Sequence, residues 1–384
     1  MKKILFVINN MDIGGIQKSL TELLACIHEK YDISLYCING DGVMLKDVPE
    51  SINILPVKKF TKVSDFSLDE CKKLGKNYYF ARQAFSLCTR VFSKRLAAGI
   101  FCMLNGKIPG KYDVAISFTQ PVGDKVFYNL SNELVLKSVD AERKITFVHC
   151  DFVSYGGNTK YNRSLYKKFD AVAAVSDSVG KQFVSVNPTL DKKTFTVLNC
   201  CSFEQIRQKA DFESVIYNTK SFVSVSRLGK EKGLLRCLDV FKKLKDEGYN
   251  FEWHIVGGGA LAKELKNKIT QYDMNDCVYL EGEQINPYRF IKNADWFLLP
   301  SYHEAAPMVY NEAASLGVPI LTTNTLSAKE LVEDRKLGIV CENTEEGLYA
   351  MLKKAAEPEY KFESSNTAVD NTKAIEQFEY ICKK

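Results

Sequence analysis

The chain has 384 residues, 46% of them apolar and 26% charged, which is globular composition in more length than one ordinary core takes up. A formal charge of +5 is too modest to argue for a nucleic-acid partner. Its twelve cysteines are scattered, with only Cys200 and Cys201 adjacent, so reduced and mostly buried thiols are expected rather than a disulfide scaffold or a metal site.

From the N-terminus, Ile4–Ile8 reads as a buried strand. The run is too short for the apolar region of a signal peptide, and no small-residue cleavage site follows it. No apolar stretch approaches the ~20 residues of a membrane-spanning helix. Asn9–Gly15 leads into a helix starting near Ile16. Gly14 and Gly15 at that junction are either a tight turn or a place where an oxyanion or sugar reaches the helix amides. Further buried strands are predicted at Ile33–Ile38, Val114–Phe118, Ile145–Val148 and Ala171–Val175. His149 and Asp151 close the third of these on the edge where ligands bind. The histidine is either structural or catalytic.

One insertion breaks this rhythm. Between Lys58 and Lys111 there are twelve Lys/Arg against three Asp/Glu. Leu74, Tyr78, Ala81, Phe85, Cys88, Phe92, Leu96 and Ile100 recur at three- or four-residue steps, which predicts one apolar helical stripe. It is flanked by Lys72, Lys73, Lys76, Arg82, Arg90, Lys94 and Arg95. Such a segment either covers its own domain with a solvated basic face or docks on an anionic membrane surface.

After a polar stretch around Asn199–Thr219, the alternation resumes at Phe222–Ser226, Phe251–Val256, Val278–Leu280, Trp296–Leu299 and Pro319–Thr322. Continuous apolar strands alternating with helical patterns predict parallel sheets, and two such series predict two Rossmann-like domains. Arg227 and Lys232 leave the first of these strands five residues apart around a glycine turn, a spacing suited to a diphosphate. Gly257, Gly258 and Gly259 end the next strand where backbone must come close to a ligand. The chain lacks both G-x-G-x-x-G and a P-loop, so neither a nicotinamide enzyme nor an NTPase is indicated.

The stretch Leu298–Leu321 is the most informative. A strand ends at Pro300, a loop carries His303 and Glu304, and a helix starts with Pro307 at its first position and stops at Gly317. The amides near Ala306–Val309 then form an anion site at the sheet edge. Glu304 and Glu312 would repel a phosphate directly and are better suited to sugar and ribose hydroxyls. Residues 362–371 read as a polar connection and Thr372–Lys384 as a final helix.

In this order along the chain, the motifs resemble glycosyltransferase family 4, retaining enzymes of the GT-B fold that include capsule and lipopolysaccharide transferases. The match runs from Gly14-Gly15 and His149 through Asp170–Ser178 and Asn199 to Arg227, Lys232, Gly257–Gly259 and the pair Glu304 and Glu312, which fits the family's E-x7-E. The resemblance implies an α/β GT-B fold, with two Rossmann-like domains whose parallel sheets face across a cleft. Residues 1–205 would bind acceptor, with the basic insertion at 58–111. Residues 206–365 would bind the nucleotide sugar, and 366–384 would cross back to the first domain.

The resemblance further implies a nucleotide diphosphate sugar as donor, UDP-sugar favoured, and a glycan or polyprenyl-diphosphate-linked acceptor. It places the enzyme in the cytoplasm, with no metal or other cofactor. His149, Glu304, Arg227 and Lys232 would form the catalytic set. Gly14, Gly15, Gly257, Gly258, Ala305, Ala306, Pro307, Met308, Val309 and Glu312 would line the donor site. Asn199-Cys200-Cys201 and Ala305-Ala306 depart from the family's usual residues, the latter at a point expected to tune donor-sugar preference. A nucleotide-sugar epimerase on the same fold is the alternative, and it would act on donor alone.

Overall fold

The structure is a computed structural model and describes residues 1–363 and 370–383. The chain divides into two compact units, residues 1–200 with 371–384, and residues 201–370.

The first unit is built on a seven-stranded sheet: β1 (Lys3–Ile8), β2 (Asp32–Cys37), β3 (Asn53–Ile54), β4 (Lys111–Ser117), β5 (Asp140–Val148), β6 (Ala171–Ala174) and β7 (Thr194–Thr196). The second carries six strands: β8 (Lys220–Val225), β9 (Phe251–Val256), β10 (Val278–Gly282), β11 (Trp296–Leu299), β12 (Ile320–Thr323) and β13 (Gly338–Cys341). Their orders are β3-β2-β1-β4-β5-β6-β7 and β10-β9-β8-β11-β12-β13, with every pair parallel. These are the doubly wound parallel sheets that the alternating runs predict. Each order reverses once, at β1/β4 and at β8/β11. Chains leaving the two strands there diverge to opposite faces and open a crevice at the carboxyl edge.

Burial explains which strands were legible. β1, β6 and β11 are nearly solid apolar runs because helices cover both faces of the sheet. β3, β7 and β13 are short edge or near-edge strands with exposed or half-buried residues, and no apolar run announces them. The polar stretch after Asn199 also holds a helix, Phe203–Asp211, which buries Ile206 and Ala210.

The insertion corrects the single-stripe reading. After α1 (Gly15–Ile27) it forms three helices, α2 (Leu68–Leu74), α3 (Lys76–Val91) and α4 (Lys94–Asn105). Gly75 separates the first two with φ +142°, and Ser93 starts α4 by accepting a hydrogen bond from the Leu96 amide at 3.2 Å. Each break rotates the next helix, so the buried set changes. Phe85 and Phe101 pack with Phe127, with ring centroids 4.8 and 5.6 Å from it. Phe92, Leu96 and Ile100 face outward instead, Phe92 being 72% exposed.

Two of the predicted flanking cations are internal. Lys94 is 1% exposed and its ammonium donates to the Tyr128 carbonyl at 3.2 Å, and Arg82 donates to the carbonyl of Phe127. Burial lowers the pKa of both, with Glu133 opposing the effect at Lys94.

The final helix, Thr372–Lys383, belongs to the first unit, where Phe378 stacks on Phe6 and Arg143 Nε donates to the Ile381 carbonyl at 2.8 Å. The polar connection expected at 362–371 lies largely outside the described residues.

Candidate functional site

In the second unit, the loops after β8 and β11 leave the sheet on either side of its reversal, and this brings together residues 72 positions apart. Lys232 ends a single 3₁₀ turn, Lys230–Lys232, and Gly233 follows with φ +66°. A β-carbon on Gly233 would lie 2.1 Å from the Pro300 carbonyl oxygen, so only glycine lets this turn rest on the end of β11. There the Lys232 ammonium donates to Glu304 Oε1 at 2.6 Å, and the Ser301 hydroxyl donates to the same oxygen at 2.8 Å. Both ion-pair partners are mostly buried. Arg227 is exposed and pairs with Glu231 at 2.8 Å.

The helix behind Glu304 runs Met308–Ser315, with Pro307 at the cap, one position before its expected place. Pro307 still costs no hydrogen bond there, since a cap amide has no partner within the helix. Gly317, at φ +72°, closes the helix. Its amide bonds the Ala314 carbonyl and that of Val318 bonds the Ala313 carbonyl, both at 3.1 Å, which is the Schellman pattern. The helix therefore starts at the carboxyl edge of β11 and turns its amide end, the positive end of its dipole, toward the Glu304 loop. Glu312 lies on it, 2% exposed. Ala305 and Ala306 complete the connection, and Val309 packs in the core beneath.

Gly257 and Gly259 have a reason internal to the chain. Their φ angles are +140° and +149°, and added β-carbons would lie 1.9 Å from the Ser226 carbonyl oxygen and 2.7 Å from that of Leu228. They let the end of β9 press against the Arg227 loop, and the Leu228 amide donates to the Gly258 carbonyl at 2.7 Å. A β-carbon at Gly258 would meet only the Glu283 side chain.

Two positions unmarked in the sequence hold the Glu304 loop. Arg236 donates to the Pro300 carbonyl at 2.8 Å and to Asn343 Oδ1 at 2.6 Å, and lies 3.8 Å from the Tyr302 ring centroid. Asn343 Nδ2 donates to the Tyr302 carbonyl at 3.0 Å. Neither residue lies in a recognisable motif.

In the first unit, His149 follows β5 with its ring against Phe118 and Phe147, centroids 4.6 and 5.4 Å away. It is 8% exposed, and among the described residues its Nε2 has no hydrogen-bond partner. Burial lowers its pKa to about 3, so the imidazole is neutral at physiological pH. Gln120 fixes this strand end by accepting the His149 and Cys150 amides at 3.1 and 3.0 Å. Asp151 does not serve the histidine. Its carboxylate accepts the Val153 and Ser154 amides of its own turn at 3.0 and 2.8 Å.

At the reversal of this sheet, Gly14 caps α1 in extended conformation and Gly15 is the first helical residue. A β-carbon at Gly15 would meet nothing within 4 Å, whereas one at Gly14 would lie 2.4 Å from Gln17 Oε1, whose amide nitrogen donates to Asn10 Oδ1 at 2.9 Å. Beside them, Asn9 Nδ2 donates to Asp65 Oδ1 at 3.2 Å and to the Tyr128 hydroxyl at 2.9 Å. Burial pushes the Asp65 carboxyl up to about 6, against the hydrogen bonds from Asn9 and Asn10. Asp65 falls in the basic insertion and carries no sequence signal of its own.

Comparison with known proteins places this architecture. The Anabaena protein Alr3699/HepE, solved in complex with UDP and glucose, superposes with a TM-score of 0.66 at 16% identity, covering all of this chain and 99% of that one. At that identity the likeness shows the fold, which is GT-B. The Erwinia amylovora amylovoran biosynthesis glycosyltransferase AmsK is 34% identical over 36% of this chain and 36% of its own length. The Campylobacter jejuni N-acetylgalactosamine-N,N'-diacetylbacillosaminyl-diphospho-undecaprenol 4-alpha-N-acetylgalactosaminyltransferase is 28% identical over 49% of this chain and 51% of its own. The matched stretches thus span between about a third and a half of these curated relatives. Residues 206–373, somewhat under half of the chain, match the family described as Glycosyl transferases group 1.

Proposed function

We propose that the protein transfers a sugar from a nucleoside diphosphate donor, UDP-sugar in the first instance, to a glycan or polyprenyl-diphosphate-linked acceptor in cell-surface polysaccharide synthesis. The observation that carries this reading is the Lys232–Glu304 pair, 2.6 Å apart at the sheet reversal and beside the start of the helix Met308–Ser315. A diphosphate arriving there takes the Lys232 ammonium and the helix amides, which leaves the Glu304 carboxylate to accept sugar hydroxyls. As the sugar departs, negative charge grows on the diphosphate, where Lys232, the exposed Arg227 and the helix dipole offset it. Glu312 is assigned to the ribose. Gly14, Gly15 and the neutral His149 supply the first unit's groups, the imidazole acting as a hydrogen-bonding partner that carries no charge at working pH. Transfer with retention follows the family resemblance, and the anomeric signal of the product by NMR checks it.

The relatives named above are transferases, which favours transfer over epimerisation. Calorimetric titration with UDP, GDP, ADP and CMP tests the site. UDP is expected to bind, and Lys232→Ala to weaken it by about 2–3 kcal/mol, roughly 30- to 150-fold, without loss of fold. Equal affinity in the variant would move the donor site elsewhere.

We also assign the outer face of α3 and α4 to an anionic membrane surface on the cytoplasmic side. No helix among the described residues is long and apolar enough to cross a membrane. Leu87, Val91, Phe92, Leu96, Met103 and Leu104 are all exposed there, Met103 at 72%. A groove of about 390 Å³ along Leu96, Ile100 and Met103 is rimmed by Arg95 and Lys137. The Lys107 ammonium bonds the Lys137 carbonyl at 3.1 Å and leads into a second hollow of about 560 Å³, bordered by Lys111 and Lys144. Apolar side chains beside clustered cations suit an anionic lipid surface, at about 1 kcal/mol for each basic residue near it. Co-sedimentation with phosphatidylglycerol-containing vesicles is expected, falling with salt and lost in Leu96→Glu/Met103→Glu. Equal binding to pure phosphatidylcholine would remove the electrostatic part of this assignment.

A further inference from the structure

The Pro300–Tyr302 backbone, just before Glu304, is held by several other segments of the second unit. The helix Leu234–Asp246 contributes Arg236, whose guanidinium donates to the Pro300 carbonyl at 2.8 Å and to the Ser301 carbonyl at 3.3 Å. Its other bonds, to Oδ1 and the carbonyl of Asn343 at 2.6 and 3.5 Å, tie it to the segment after β13. Asn343 Nδ2 donates in turn to the Tyr302 carbonyl at 3.0 Å, and the Tyr302 ring packs on the guanidinium with its centroid 3.8 Å away. Thr323, at the end of β12, also donates to the Ser301 carbonyl. The Tyr302 amide donates to the Glu231 carbonyl at 2.8 Å, inside the turn that carries Lys232.

This grip bears on the two oxygens of Glu304. Lys232 and Ser301 both engage Oε1, at 2.6 and 2.8 Å, and among the described residues no hydrogen bond reaches Oε2. The carboxylate is therefore asymmetric, with one oxygen committed to the protein and the other an open acceptor. The asymmetry depends on the buried Ser301 hydroxyl, and the direction of that hydroxyl depends on a backbone whose carbonyls Arg236 holds. A guanidinium suits this task. Its planar fork meets several oxygens in fixed directions, which the single ammonium of a lysine does not.

We propose that Arg236 is a positioning residue for the sugar end of the donor: by fixing the Ser301 peptide it commits Glu304 Oε1 to the protein and leaves Oε2 to accept a sugar hydroxyl. The inference rests on the reading of Lys232 and Glu304 given above and deepens it, because it separates two tasks within one site. The diphosphate meets Lys232 and the amides of the helix Met308–Ser315, and Arg236 bonds none of these among the described residues. The sugar meets Glu304, whose orientation passes through Ser301 to Arg236. Loss of the guanidinium therefore impairs sugar transfer and spares UDP binding.

Kinetics of UDP release separate the two tasks. The intact protein is given UDP-glucose, UDP-galactose, UDP-N-acetylglucosamine or UDP-N-acetylgalactosamine with water as acceptor, so that each turnover breaks the anomeric C–O bond and yields UDP and free sugar. In Arg236→Lys, kcat for the fastest donor is expected to fall roughly 30- to 100-fold, while the calorimetric Kd for UDP stays within about threefold of wild type. Asn343→Ala, which leaves the guanidinium in place, is expected to show the same split with a kcat loss of about three- to tenfold. It gives the answer where Arg236→Lys folds poorly. Parallel losses of kcat and UDP affinity would mean that Arg236 only holds the fold, and wild-type kcat in both variants would overturn the proposal. Glu304→Gln tells that failure from a failure of the underlying reading. If Glu304→Gln keeps wild-type kcat, Glu304 does not serve the sugar and both fall. If it loses kcat while the Arg236 and Asn343 variants do not, only the role of Arg236 falls.

Discussion

The two sheet reversals are built alike in topology and unlike in what their glycines are for. In the second unit, Gly233, Gly257 and Gly259 all have positive φ, and a β-carbon on each would collide with the chain's own backbone. In the first unit, a β-carbon on Gly15 would enter open space. Glycine in the second unit is therefore a requirement of folding, set by loops pressed together at β8/β11. Gly15 at the first reversal answers to no neighbour in the described chain, which favours the ligand-approach reading there. The ionisable groups differ too. The second unit gathers a cation and a carboxylate into a pair, whereas the first buries a neutral histidine and a carboxyl whose pKa is raised.

The hardest test of this contrast is Gly257→Ala. A β-carbon 1.9 Å from the Ser226 carbonyl oxygen at φ +140° is expected to destabilise the fold by more than about 4 kcal/mol. Urea unfolding followed by circular dichroism would measure it, and a loss below about 1 kcal/mol would break the distinction between the two glycine groups.

The histidine sharpens the electrostatic half. His149 has a folded pKa of about 3 against 6.5 for the free side chain. Between these values the unfolded chain binds a proton that the folded state refuses, so its contribution is full above pH 6.5 and is lost as pH falls toward 3. Asp65, raised from 3.8 to about 6, has the opposite sign. Within that window the folded state holds the extra proton, so its contribution improves as pH falls. The clean readout is the difference between wild type and His149→Phe. At pH 4 relative to pH 7, the variant should escape about 3 kcal/mol of acid destabilisation. Parallel pH curves for the two proteins would mean that the imidazole is solvated in solution.

The smallest stability effect belongs to Gly15→Ala, within about 0.5 kcal/mol of wild type, since the site is helical and uncrowded. Turnover of the nucleotide sugar should nonetheless fall by roughly tenfold or more. Unchanged turnover would leave the first reversal's glycines as an ordinary strand-to-helix turn.

Much of this protein was legible from its residues. Strands such as Phe251–Val256 and Trp296–Leu299 are buried on both faces, and a parallel sheet writes that burial into the chain as continuous apolar runs. Punctuation by Gly317 and the spacing of Glu304 and Glu312 are equally local, so they survive translation into one dimension. Tertiary structure alone decided the rest. Periodicity cannot see a helix break that turns the next segment, and so Phe92 and Leu96 left the single stripe expected with Phe85 and lie at the surface, while Lys94 moved inside. Nor does it announce Arg236 and Asn343, whose partners lie 41 to 107 residues away, or Asp65, whose carboxyl is raised by burial against the hydrogen bonds of Asn9 and Asn10. The meeting of Lys232 with Glu304, and of Cys26 with Asn371, depends on where a sheet reverses and where a chain crosses. Those positions are set by long-range packing, which no local pattern records.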